Sequence, residues 1–366
     1  MTELAMHAAD RDIADTLCEQ VRSAYDAHTP LRIVGGDTRA FYGRPVDGQA
    51  LQMAEHSGIV SYDPVELVVT VRAGTRLSAL QAALAEKHQM LGFEPPIFGE
   101  ASTIGGAVAT GLSGPRRPWA GAARDFVLGT RVITQEGKLL RFGGEVMKNV
   151  AGYDLSRMMA GAQGTLGVLT DISFKVLPIP NATHSLRLPI NLEDALKKLA
   201  ELGRKPLPIT AAAWHNGELF LRLEGGNSSV SATQAQLNGE PLDASFWTSL
   251  RDHTHDFFQL SDDQALWRLS LPPHTSPLAL DIPEADIFYD WAGCQRWVKT
   301  SLDASTLRAA CAAAGGHATC YTPHAQGGAA DPFTPLNKVV EKYHRNLKAE
   351  LDAHGIFNPS RLYAAF

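Results

Sequence analysis

Residues 94–114 read EPPIFGEASTIGGAVATGLSG, and the first decision about the fold lies in this stretch. Pro95 and Pro96 force an extended approach. Ser102 and Thr103 are N-cap types, and a helix is expected to open at Ile104. Gly105 and Gly106 put no side chain on its first turn, so the helix start reads as bare and open to an anion against its unpaired N–H groups. Ala107, Ala109, Gly111 and Gly114 keep the following surface flat enough for a planar ring. Close backbone packing is an equally good reading of the same small residues.

Two further stretches point the same way. Residues 31–43, LRIVGGDTRAFYG, run from a short apolar strand into Gly-Gly. Such a loop can turn successive N–H groups toward one point and cradle phosphate, although taken alone it is more often a plain turn. Residues 160–175, AGAQGTLGVLTDISFK, place Gly161, Gly164 and Gly167 ahead of a strand. Fifteen of the 32 glycines fall between residues 92 and 167. The chain contains neither GxGxxG nor GxxxxGK[ST], so neither a Rossmann fingerprint nor a Walker A loop is present. Three glycine-rich segments in one domain, none of nicotinamide type, indicate a cofactor with a pyrophosphate and a large ring.

The order of these segments resembles the FAD-binding domain of the vanillyl-alcohol oxidase and p-cresol methylhydroxylase (PCMH) flavoproteins. A Gly-Gly loop after a strand is followed by TIGGAVATGLSG, AARDFVLGTRVITQEGKLL and KNVAGYDLSRMMAGAQGTLGVLTDISFKVLP. The resemblance is dense over residues 30–178 and extends more weakly to the tail FNPSRLY. Within the family, GPRRPWAGAARDFVLG, KNVAGYDLSR, DWAGCQRW and GGHATCY look most like the smaller FAD-binding subunits of bacterial glycolate oxidases.

The resemblance implies an α+β fold: a two-subdomain PCMH-type FAD-binding domain over residues 1–178, then a short α+β cap with an antiparallel sheet over residues 179–335. Residues 336–366 would form a C-terminal helix and tail that return to the FAD domain. By position, Gly35, Gly36, Asp37 and Thr38 would cradle the pyrophosphate, and Ser102, Thr103, Gly105 and Gly106 would hold pyrophosphate and ribityl. Ala109 and Gly111 would face the isoalloxazine. Gln163, Gly164, Gly167 and Val168 would lie along the FAD, Val168 toward the adenine.

Two departures from the family qualify its activity. Residues 31–43 hold no histidine or cysteine, so the FAD is expected to be non-covalent. The histidine-rich metal segment of related D-2-hydroxy-acid dehydrogenases is missing, so no metal site is expected and independent turnover of glycolate is in doubt. No catalytic base can be named. Arg116 and Arg117 follow the flavin-facing loop and are candidates for substrate or electron-transfer contact, since a guanidinium fork pairs a carboxylate bidentately. A solvated basic pair or a partner contact is the commoner role. Arg296 is expected to be salt-bridged within the cap, and His317 to be a satisfied core histidine. Tyr153 and Asp154 are expected to cap the next helix.

Composition agrees with a globular cytoplasmic chain of two or three domains: 366 residues, 45% hydrophobic, 20% charged. A formal charge of −6 argues against a nucleic-acid binder. The cysteines at 18, 294, 311 and 320 offer no zinc or iron–sulfur spacing, and their number does not suggest a disulfide framework. The residues MTELAMHAADRD do not read as a signal peptide, and no run approaches a membrane span. The resulting expectation is an FAD-binding subunit of a multisubunit glycolate oxidase or dehydrogenase that forms glyoxylate. Its partners would be a larger homologous flavin subunit and an iron–sulfur subunit, with peripheral attachment at the inner membrane through them. The alternatives are an FAD-binding structural or electron-relay partner, and a free-standing alcohol or sugar oxidase.

Overall fold

Leu17, Val21 and Ala24 recur along the helix Ala14–Asp26 and all three are buried, as the apolar stripe in the sequence requires. In the computed structural model, which describes residues 10–144, 154–323 and 331–366, that helix packs on Leu31, Leu51, Met53, Ile133, Val168 and Phe357. The chain forms two units. The first contains residues up to Ser113, Gly121–Ile179 and Pro335–Phe366; the second contains Gly114–Ala120 and Pro180–Thr334.

The first unit holds a parallel pair, Leu31–Val34 with Gln49–Gln52. It also holds a five-stranded antiparallel sheet in the order Ile59–Asp63, Val68–Arg72, Val168–Lys175, Val127–Ile133, Leu139–Gly143. The hairpin expected about Glu136 and Gly137 is present, with Gly137 left-handed at φ 69°. Gln49–Gln52 has no apolar period to announce it, because only Leu51 is buried. Asp154 caps Leu155–Met159 by accepting from Arg157 N at 3.1 Å, whereas Tyr153 lies outside the described residues.

The second unit is an eight-stranded antiparallel sheet with short helices. The hairpin Ile209–His215 and Glu218–Gly225 turns through Asn216 and Gly217, both left-handed, as an Asn-Gly turn demands. Ala182–Pro189 is a strand with no sequence signal, since its ladder with Glu218–Gly225 is a tertiary contact. Side-chain alternation sorts the sheet. Trp214, Leu219, Leu221 and Tyr289 join one apolar core with the helices Leu192–Leu202 and Asn227–Leu237. His215, Phe220, Phe288 and Trp297 instead join rings from residues 246–258. Desolvation among those rings brings the His253 pKa down to about 3. Burial likewise pushes the Cys311 and Cys320 thiols up to about 11, which makes both core residues rather than nucleophiles.

Two expectations for this unit fail. Among the described residues, Arg296 has no carboxylate partner. Its guanidinium donates to the carbonyls of Gly293, Ser276 and Thr275 and lies over Tyr289, so backbone oxygens and a ring face replace the carboxylate. His317 opens the strand His317–Thr322 and is exposed, whereas Ala318, Thr319, Cys320 and Tyr321 after it are buried.

The C-terminal helix Lys338–Leu351 is fastened to the first unit by a buried ion pair. Lys348 Nζ donates to Asp352 Oδ2 at 2.6 Å, to Thr165 O at 2.7 Å and to Phe357 O at 2.9 Å. Asp352 also accepts from Ile356 N and Phe357 N. Asp352→Ala strands an ammonium and two N–H groups, and should lower the unfolding free energy by about 3–5 kcal/mol. Urea denaturation reads this, and a loss under about 1 kcal/mol would mean that burial of Ile356 and Phe357 alone holds the tail.

Candidate functional site

Thr103 caps the helix Ile104–Thr110, its Oγ1 accepting from Gly106 N at 3.3 Å. The start of that helix is not bare. Ile104 N donates to Thr75 O at 2.9 Å and Gly105 N to Ala73 O at 2.8 Å, so neighbouring backbone takes the donors that the sequence seemed to leave for an anion. A β-carbon on Gly105 would stand 2.7 Å from both Cβ and O of Ala73, so this glycine exists for close packing. On Gly106 it would stand 3.3 Å from Thr103 Oγ1 and 3.7 Å from Arg39 Nη1.

The unpaired donors lie in residues 35–38 instead. Among the described residues, the N–H groups of Gly35, Gly36, Asp37 and Thr38 have no acceptor in the protein. Asp37 is left-handed at φ 55° after two residues with no positive φ, the alternation that turns successive N–H groups toward a common point. Its carboxylate accepts from Arg32 Nη2 at 2.6 Å. The loop lies against residues 101–103 backbone to backbone: a β-carbon on Gly36 would be 1.6 Å from Ala101 O. Behind it, Thr38 Oγ1 and Ser102 Oγ share a hydrogen bond of 3.0 Å, and Ser102 Oγ accepts from Phe98 N.

The third segment joins the same place through backbone bonds to the capped helix, Gly161 N to Val108 O and Gln163 N to Ala109 O. Gly164 and Gly167 are left-handed, at φ 70° and 153°. The fourth is the C-terminal tail, from which Asn358 and Arg361 enter. Asn358 receives Ile33 N at 2.8 Å and donates to Gln163 O at 2.7 Å.

These segments enclose a cavity of about 260 Å³. Of the expected residues, Gly35, Gly36, Asp37, Thr38, Thr103, Gly105, Gly106, Ala109, Gln163, Gly164 and Gly167 line it. Three others do not. Ser102 stands behind the wall. Gly111 is the left-handed C-cap of Ile104–Thr110, packed on Gly161. Val168 turns into the core with Leu17 and Ile133, because strand alternation sends Gly167 and Leu169 to the cavity and the residue between them the other way. Arg116 and Arg117 belong to the second unit. Arg116 is buried, with Nη2 2.5 Å from Glu224 Oε2, and Arg117 lies 4.4 Å from the Trp291 ring centroid.

Among the lining residues that the sequence reading missed are Arg32, Arg39, Asn358 and Arg361. Arg39 is buried, donates from Nη2 to Pro96 O and lies 5.3 Å from the Phe98 ring. It stood inside the quoted loop, and Asn358 and Arg361 inside the quoted tail, but no local period marks a residue that acts across the fold. The charged lining is three guanidinium groups and one carboxylate. With the orphan N–H donors and the apolar walls of Val34, Met53, Ala73 and Leu169, it fits a ligand that carries a pyrophosphate between less polar ends. Among the described residues, no group of three His, Cys, Asp or Glu is placed to hold a metal ion.

This architecture defines a flavoprotein of the PCMH type. The structure of p-cresol methylhydroxylase with substrate bound aligns over 95% of this chain and 87% of its own, with a TM-score of 0.69 at 14% identity. The FAD binding domain family matches residues 13–143, and FAD is the cofactor of this chain. The glycolate oxidase subunit GlcE of Escherichia coli (strain K12) is 50% identical over 353 residues, 96% of this chain and 98% of that protein, and the chain belongs to its family. The glycolate oxidase subunit GlcD of Bacillus subtilis (strain 168) is 32% identical over 200 residues, 53% of this chain and 41% of that protein.

The two adjacent glycines separate packing from access. Gly105→Ala should lower stability by about 1–3 kcal/mol through overpacking on Ala73. Gly106→Ala should stay within about 0.5 kcal/mol of the unchanged protein. Parallel urea titrations decide, and equal losses would mean that both glycines serve packing alone.

Proposed function

We propose that this chain is the FAD-binding subunit of a multisubunit glycolate oxidase, a 2-hydroxy-acid oxidoreductase that converts glycolate to glyoxylate. The observation that carries the reading is the match along almost the whole length to a glycolate oxidase subunit at 50% identity. FAD, when bound, accepts a hydride equivalent from the carbon that bears the hydroxyl. The N–H groups of residues 35–38 hold its pyrophosphate, with Arg39 supplying charge beside them. Thr103, Gly106 and Ala109 lie against the middle of the cofactor, where the absence of long side chains lets it approach backbone. Gln163, Gly164 and Gly167 border its remaining length.

Arg116 has structural work in its ion pair with Glu224, so we assign it no substrate contact. The partners in this reading are a larger homologous flavin subunit and an iron–sulfur subunit. The similarity to GlcD supports the first, and the absence of cluster-type cysteine spacing in this chain supports the second. Among the described residues no helix is long and apolar enough to cross a membrane. We place the chain in the cytoplasm, at the inner membrane through its partners.

The FAD is held non-covalently, as residues 31–43 and 94–114 contain no histidine or cysteine. Acid denaturation followed by filtration through a small-pore membrane should release all the yellow colour, and flavin retained with the polypeptide would refute this. Glycolate turnover belongs to the assembly. With a dye acceptor, the chain alone should be nearly inactive and the co-expressed complex active, because a flavin without a positioned substrate forgoes a proximity advantage of up to ~7–11 kcal/mol. Equal rates per flavin would replace this reading with a free-standing oxidase.

A further inference from the structure

Arg361 lines the cofactor cleft, yet its five N–H groups are all spoken for within the protein. Nε donates to Gln163 Oε1 at 2.9 Å. Nη1 donates to Ala40 O at 3.1 Å and Arg44 O at 2.6 Å. Nη2 donates to Arg39 O at 3.1 Å and Tyr42 O at 2.7 Å. Arg361 O in turn accepts from Arg44 N at 3.0 Å. One guanidinium from the end of the chain therefore gathers four carbonyls from residues 39–44, the direct continuation of the orphan donors at 35–38. Gly43 is left-handed at φ 114°, and a β-carbon there would be 2.5 Å from Gln163 Oε1 and 3.0 Å from Arg361 Nε. Its glycine is what lets the clamp close. Residues 35–48 contain no helix or strand, so this loop takes its shape from such side-chain clamps rather than from a backbone ladder.

We propose that the C-terminal tail is a cofactor-binding segment in its own right: Arg361 is a positioning residue that shapes residues 35–44 for the FAD pyrophosphate, so that tail docking and FAD binding strengthen each other. The inference rests on the placement of FAD given above. Arg361 does not touch the phosphate itself, because no donor remains to do so. Lysine cannot replace it, since an ammonium has three donors and no planar fork. Coupling runs both ways by linkage: whatever the tail adds to FAD affinity, bound FAD returns as protection of the tail.

The test uses the full chain stripped of flavin and titrated with FAD, together with amide hydrogen exchange. Arg361→Gln and Arg361→Lys should each raise the FAD Kd at least about tenfold, the loss of one or two charge-assisted hydrogen bonds in effective terms. In the unchanged chain, FAD should slow exchange in both residues 39–44 and residues 358–366. A change in thermal midpoint without flavin, accompanied by an unchanged Kd, would overturn the proposal and leave Arg361 a structural clamp. The exchange arm needs no variant, and a tail whose exchange ignores FAD overturns it equally. If the unchanged chain takes up no FAD at all, the placement of the cofactor fails instead.

Discussion

The cleft exists because two loops meet backbone to backbone at Gly36 and Ala101. A carbonyl oxygen occupies the position where any other residue would carry its β-carbon, so the contact tolerates no side chain. This contact sets residues 35–38 beside the capped helix Ile104–Thr110. The helix start spends its own donors on Ala73 and Thr75, and the loop keeps its donors unpaired. Orphaned backbone donors are unfavourable unless a ligand or water satisfies them, so the loop gains most from an anion.

The rest of the site depends on bringing the two ends of the chain together. Lys348 and Asp352 fix the root of the tail, Asn358 ties it to Ile33 and Gln163, and Arg361 closes over residues 39–44. Leu31 and Phe357 form a parallel bridge, and both lie in the same apolar core as the first helix. Contacts this distant in sequence carry a large loop-closure entropy, so they form only with the support of the core. The cleft is for that reason a property of the folded first unit rather than of any one motif.

In the second unit, the DWAGCQRW signature folds into a turn in which Trp291, Ala292 and Gly293 are all left-handed. Two non-glycine residues in that region are strained, and their neighbours hold them there. Asp290 accepts from Trp291 N and Gln295 Nε2, and the Trp291 indole donates to Gly114 O. Gly114–Ala120 follows closely on the cleft-lining segment yet packs within this unit through Trp291 and Glu224. Arg116, which chain position alone made a candidate for the flavin, is thereby committed to an ion pair.

Local chemistry made much of this legible in one dimension. Asn216-Gly217 specifies its hairpin because both positions need φ > 0, and the stripe of Leu17 and Val21 specifies a buried helix face by its period. The three glycine segments all line the cleft, although small residues in that density serve close backbone packing as well, as Gly105 against Ala73 shows. The sequence did not distinguish Gly105 from Gly106, because which of two adjacent glycines meets backbone depends on what lies across from it. Strands without a period of their own, Gln49–Gln52 and Ala182–Pro189, stayed hidden until their partners supplied the ladder. Asn358 and Arg361 acquire their roles only through the tertiary fold, since hydrogen-bond partners more than a hundred residues away leave no mark on a side chain's neighbours in sequence, and Arg39 reaches Pro96, 57 residues on, in the same way.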